Sequence, residues 1–136
     1  MKKMLFIYNP NAGTGGLKPK LSDALDLFTK SGYEVTVHPT QKPHDAVEKI
    51  QECGGEYDRI VCAGGDGTLD EAVTGMRLGG LQTSLGYIPA GTTNDFAASL
   101  GIPKDILAAA DTAVNGIPFP CDVGEFNGDH FIYIAA

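Results

Sequence analysis

Four times along this chain a short strand-like run gives way to a turn and then to residues spaced for one helical face. Met4 to Tyr8 is continuously apolar, as a strand covered on both faces requires. The loop Asn9 to Gly16 follows, then Leu17, Leu21, Ala24, Leu25 and Phe28 at helical spacing, closed by Ser31-Gly32. Tyr33 to Val37 is rich in aromatic and β-branched residues and reads as the second strand. After the loop His38 to Pro43, the residues Ala46, Val47 and Ile50 mark a helix ending near Gly54-Gly55. Arg59 to Ala63 is the third strand, and Leu69, Ala72, Val73 and Met76 form the buried face of its helix. Ser84 to Ile88 is the fourth, followed by the turn Pro89 to Asp95 and a short helix from about Thr93 to Leu100. A further helix carries Ile106, Leu107, Ala110 and Val114. An extended stretch from Pro118 then meets a hairpin signal at Asn127-Gly128, with His130 to Ile134 as the return strand. The alternation calls for an α/β fold, a parallel sheet between two helical layers with right-handed crossovers. Ligands of such sheets bind at the carboxyl ends of the strands, where the three polar turns, at Asn9, Gly64 and Pro89, all fall.

Size and charge narrow the function. At 136 residues the chain suits one domain with a core that needs no staples. The formal charge of −7 argues against nucleic acid as partner, because phosphate backbones are gripped by clustered Lys and Arg. It also disfavours adhesion of this part to an anionic membrane surface, and Lys2, Lys3, Lys18 and Lys20 make only a weak patch. Cys53, Cys62 and Cys121 lack the close pairs of a zinc site and fit reduced thiols in a cytoplasmic protein. Lys2-Lys3 before an apolar run imitates a signal peptide, but Asn9-Pro10 stops the run too early.

The chemistry concentrates between Ile60 and Glu71, where an apolar run feeds Gly64-Gly65-Asp66-Gly67-Thr68 and opens into a helix. Glycines let main chain approach a bulky anion, and the first amides of a helix attract phosphate. A carboxylate there is useful if a metal ion or a transferable proton stands between it and the phosphate. The same residues also read as structure alone. Gly-Asp-Gly suits tight turns, and Thr68 with Glu71 fits a capping box. The Walker pattern is absent, and Gly13-Thr14-Gly15-Gly16-Leu17-Lys18 lacks the last glycine of a dinucleotide fingerprint.

Three motifs taken together resemble the soluble diacylglycerol kinase family, and within it the bacterial lipid kinases. They are Asn9-Pro10-Asn11-Ala12-Gly13, Gly64-Gly65-Asp66-Gly67-Thr68-Leu69-Asp70-Glu71 and Pro89-Ala90-Gly91-Thr92-Thr93-Asn94-Asp95-Phe96. Gly-Gly-Asp-Gly-Thr alone is also similar to polyphosphate/ATP-NAD kinases and to a phosphofructokinase motif; the other two are more specific to lipid kinases. The resemblance implies a two-domain enzyme. Residues 1–126 would be its α/β nucleotide-binding domain, and residues 127–136 the start of a crossover into an absent, β-rich C-terminal domain. It implies transfer of the γ-phosphoryl of ATP, with Mg²⁺, to a lipid hydroxyl, by a cytoplasmic protein working at the inner face of the membrane. Asn9, Pro10, Asn11, Ala12, Gly13, Thr40, Gly64, Gly65, Asp66, Gly67, Thr68, Leu69, Asp70, Glu71 and Thr92 would hold the nucleotide.

Asp66 is the expected catalytic carboxylate. Asp66, Asp95 and Asp122 are the expected metal-associated acids, acting through water, and the general base is expected outside this chain. Asp95 also reads as a helix-end acid and Asp122 as a solvated turn. His38, His44 and His130 are assigned to surface or loop positions. The apolar strand Phe131 to Ala135 stops abruptly, which suggests a longer protein and an uncovered edge able to pair with a second copy. Two other functions stay open: a kinase for NAD or another small molecule, and a non-catalytic nucleotide-binding regulatory domain.

Overall fold

The computed structural model describes residues 1–12, 16–90, 95–122 and 131–135, with main chain only at Asp95, Phe96, Phe119, Asp122 and Phe131. Its strands are β1 (Lys2–Tyr8), β2 (Tyr33–Pro39), β3 (Arg59–Gly64), β4 (Leu85–Pro89), β5 (Pro118–Asp122) and β6 (Phe131–Ala135). The helices are α1 (Leu21–Lys30), α2 (Asp45–Cys53), α3 (Asp66–Leu78), α4 (Asp95–Ser99) and α5 (Ile106–Asn115). The strands form one sheet in the order β2-β1-β3-β4-β6-β5. All neighbours run parallel except β5, which is antiparallel to β6.

The apolar runs become the interior strands. Met4 to Ile7 of β1, Ile60 to Gly64 of β3 and all of β4 are buried. Register explains the two helical layers. Phe6, Val61 and Gly86 lie side by side across β1, β3 and β4, so they share a face. Phe6 meets Phe28 of α1 edge to ring, 5.4 Å between centroids. A Cβ on Gly86 would collide with Ala113 of α5. That face therefore carries α1 and α5, which also pack on each other. Ile60 points to the opposite face, toward Ile50 of α2. There α2 and α3 pack so closely that a Cβ on Gly75 would stand 2.9 Å from the Val47 carbonyl oxygen. The expected sandwich of a parallel sheet between helices is thus observed.

Two details differ from expectation. The third and fourth strands each reach one residue further, because the ladder continues through the pair Gly64 and Pro89. More consequentially, β6 is not an edge: it lies between β4 and β5. Ile132, Ile134 and Ala135 of this strand are buried, and an apolar strand finds more partners inside a sheet than at its margin. The margin goes instead to β5, whose Pro118 and Pro120 cannot donate ladder hydrogen bonds. The hairpin signal Asn127-Gly128 and His130 lie outside the described residues.

Candidate functional site

The order β2-β1-β3-β4 reverses direction between β1 and β3, so a crevice opens at their carboxyl ends. Three chain segments leave the sheet there. The Asn9 amide donates to the Ala63 carbonyl (3.1 Å), that of Thr40 to Tyr8 (2.9 Å) and that of Ala90 to Gly64 (2.8 Å). Each bond carries the ladder one residue past the strand and fixes where the turn begins. Asn9 then folds its own turn. Its Oδ1 accepts from the Asn11 amide at 2.9 Å and its carbonyl from the Ala12 amide at 3.1 Å.

The turn after β3 is tighter. A Cβ at Gly64 would strike the Thr68 side chain, so only glycine lets the strand run straight into α3. Gly65 is the cap residue, without a side-chain cap bond, and Asp66 is the first helical residue. Thr68 and Leu69 both donate to the Gly65 carbonyl, which leaves the amides of Asp66 and Gly67 ahead of the first helical bond. The capping-box expectation is therefore corrected. Thr68 sits inside the helix, buried at 8% exposure, and Glu71 faces α2 instead. Glu71 Oε1 accepts from the Ala46 amide of α2 at 3.3 Å. The glycine-rich turn starts the helix three residues earlier than the Thr-to-Glu spacing suggested.

A cavity of about 420 Å³ opens between these segments. It is lined by Asn9, Asn11, Thr40, Gln41, Lys42, Pro43, Ala46, Thr68 and Glu71. Five of these, Asn9, Asn11, Thr40, Thr68 and Glu71, are residues the sequence singled out, drawn from the loops after β1 and β2 and the first turns of α3; the expected turn at Pro89 contributes none of the described lining. Pro10 and Ala12 stand beside them in the Asn9 turn, half-buried. Asp66, Gly67 and Asp70 are exposed at the start of α3. Leu69 is placed otherwise: its side chain is in the core and its amide is bound within the helix. Gly13 and Thr92 lie outside the described residues, as do the side chains of Asp95 and Asp122, whose main chain falls at the start of α4 and the end of β5. Among the described residues no three His, Cys, Asp or Glu side chains gather as a metal site.

Sequence reasoning missed the wall from Gln41 to Pro43, and it misplaced His38. That histidine is half-buried on β2, with Nε2 3.1 Å from Asp45 Oδ2. The same oxygen accepts from the Gln41 amide at 2.7 Å. Burial pushes the Asp45 carboxyl up, but the Gln41 amide, His38 and Lys42 together outweigh it and hold the acid below its ordinary range. The available signal was position: Gln41 to Pro43 follow a strand on the rim that carries the other turns. His44 is exposed, as expected for a loop residue, with φ of 66° ahead of α2.

Among the described residues the lining is chiefly neutral donors, with Lys42 as the one cation and Glu71 as the one carboxylate. Asn and Thr side chains and bare amides suit the oxygens of a phosphate chain.

The comparisons agree with this geometry. Residues 3–126 match the family model described as the diacylglycerol kinase catalytic domain. The chain is 47% identical over 137 aligned positions to a diacylglycerol kinase of Bacillus subtilis, covering 99% of this chain and 45% of that one. It is 41% identical to a diacylglycerol kinase of Staphylococcus aureus, covering 99% and 43%. A crystal structure of a Bacillus anthracis diacylglycerol kinase superposes with a TM-score of 0.81 at 34% identity, covering 93% of this chain and 44% of that one. The chain spans about half the length of these relatives. With the α/β sheet, the rim turns and these matches in hand, the chain belongs to the diacylglycerol kinase catalytic domain family.

Proposed function

We propose that this chain is the nucleotide-binding half of an ATP-dependent lipid kinase, which moves the γ-phosphoryl of ATP to a lipid hydroxyl. The observation that carries the reading is the convergence of the loops after β1 and β2 with the start of α3 on one cavity at the switch point of the sheet. The names of the relatives support the acceptor class.

The residues fit a nucleotide with Mg²⁺. Gly67 is exposed at the start of α3, and among the described residues nothing stands within 4 Å of the position a Cβ would take there. Asp66, exposed at the start of α3, is the described carboxylate that would face such a cation, with Asp95 and Asp122 the further acids that would reach it through water. Mg²⁺ would neutralise charge on the phosphoryl oxygens. Asn9, Asn11, Thr40 and Thr68 would orient the phosphate chain by hydrogen bonds, and the Asp66 and Gly67 amides would add the helix-start field. Phosphoryl transfer asks the protein mainly for alignment and charge stabilisation, which these groups supply. The general base and the lipid pocket belong to a C-terminal domain outside residues 1–136, and the acceptor is met at the cytoplasmic membrane face.

Asp66→Asn in the full-length protein tests the reading, with diacylglycerol and NAD as rival acceptors. Turnover with lipid is expected to fall about 10²-fold or more while the thermal midpoint holds. Near-normal turnover returns Asp66 to the role of a turn-former, and preference for NAD overturns the lipid assignment.

A further inference from the structure

Gln41, Lys42 and Pro43 form a wall of the cavity, yet all three are exposed and bury little of themselves in the core. Hydrogen bonds must hold such a wall in place. The strongest runs from the Gln41 amide to the Asp45 carboxylate at 2.7 Å, a charge-assisted bond. The Asp45 amide returns a bond to the Lys42 carbonyl at 3.2 Å, and Gln41 Nε2 reaches the Pro39 carbonyl at 3.1 Å. The oxygen of Asp45 that takes the Gln41 amide also takes His38, which is fixed on β2. Asp45 thus ties three things together: the sheet, the first turn of α2 and the cavity wall.

We propose that Asp45, with His38, is a positioning pair that locks residues 40–43 into the shape the nucleotide meets. Nucleotide affinity then depends on a carboxylate that lines no part of the cavity. The inference rests on the nucleotide reading above.

The ordinary role for an acid at this place is to complement the positive end of a helix, with its carboxylate in water. Asp45 departs from that. Its side chain is only 13% exposed and turns back across the loop that precedes it. The residue between loop and helix, His44, holds a left-handed conformation with φ of 66° and ψ of 4°. A histidine keeps such a conformation only where its surroundings over-determine it. The paired bonds of Asp45 and Gln41 on either side of it do so.

Steady-state kinetics of the full-length protein with MgATP at saturating lipid separate the two roles. Asp45→Ala is expected to raise the KM for ATP about tenfold with kcat within about twofold. Asp45→Asn keeps an acceptor oxygen for the Gln41 amide and is expected to recover most of that loss. A lower melting temperature and lower apparent kcat at unchanged KM would show a helix-start role only and overturn the proposal. Failure of Asp45→Asn to improve on Asp45→Ala would overturn it as well. Should Asp45→Ala fail to accumulate, His38→Leu removes one of the two bonds and should raise KM about threefold; an unchanged KM overturns the pair. Amide hydrogen exchange at Gln41 in unliganded protein reads the lock apart from catalysis. Protection should drop in Asp45→Ala, and unchanged protection overturns the lock. A wild type without ATP-dependent turnover, but with that drop, would instead overturn the kinase reading and leave the lock standing.

Discussion

Tyr87 donates its hydroxyl proton to the Gly64 carbonyl at 2.9 Å, on the oxygen that also takes the Ala90 amide. The residue is buried, and burial first, with the negative charge of Asp66 beside it, raises its pKa. Its proton therefore stays in place across the neutral range, and the donor is permanent. Cys62 beside it is pushed up to about 12 by burial and behaves as a small apolar residue. Tyr87→Phe leaves the Gly64 oxygen with one donor. Stability should fall by about 1 kcal/mol, read by urea denaturation, and full-length turnover should fall several-fold because Asp66 stands two residues beyond the loosened carbonyl. At this scale the sequence was legible where chemistry and position coincide: Asn9 and Thr40 are polar residues at strand exits, and Thr68 lies in the first turn of the helix that follows β3. Asp45 was not legible, because its partner Gln41 becomes meaningful only once the loop has folded back. Glu71 looked like a local cap, and its true partner, the Ala46 amide, lies 25 residues away in the chain.

At the level of elements, the glycines of α3 show why α2 stays close to the site. A methyl group at Gly75 would gain about 1 kcal/mol of helix propensity. It would also press on the Val47 carbonyl and on Ile50, an overpacking that costs about 1–3 kcal/mol. The backbone clash should win. Gly75→Ala is expected to lower stability by about 1 kcal/mol and to raise the KM for ATP, since shifting α2 also moves Ala46 and the adjoining wall. Guanidinium unfolding and initial-rate kinetics check the two halves of this expectation. Strand and helix identities were readable because apolar runs and helical spacings are local. Strand order was not. An apolar run announces that it will be covered, but not by which neighbours, and so β6 was expected at the margin and found inside.

For the whole molecule, the cavity stands open. Among the described residues Gln41, Lys42 and Asp66 are exposed, so on the kinase reading these residues alone do not shut water out. Transfer to a lipid rather than to water requires that place to be closed. We therefore expect residues 1–136 alone to bind ATP without phosphorylating diacylglycerol above background in a labelled-phosphate assay, and the full-length protein to do both. Activity in the isolated segment would show that these residues suffice.

The prolines of β5 shape how the molecule meets its own kind. Pro118 and Pro120 pair with Ala135 and Tyr133 across the β5–β6 ladder, and neither carries an amide proton. A stray strand arriving on that flank would find carbonyls but no amide protons at these two positions, and would zip on poorly. In the described sheet strand addition is disfavoured on that flank, and the far flank along β2 is the other margin to guard.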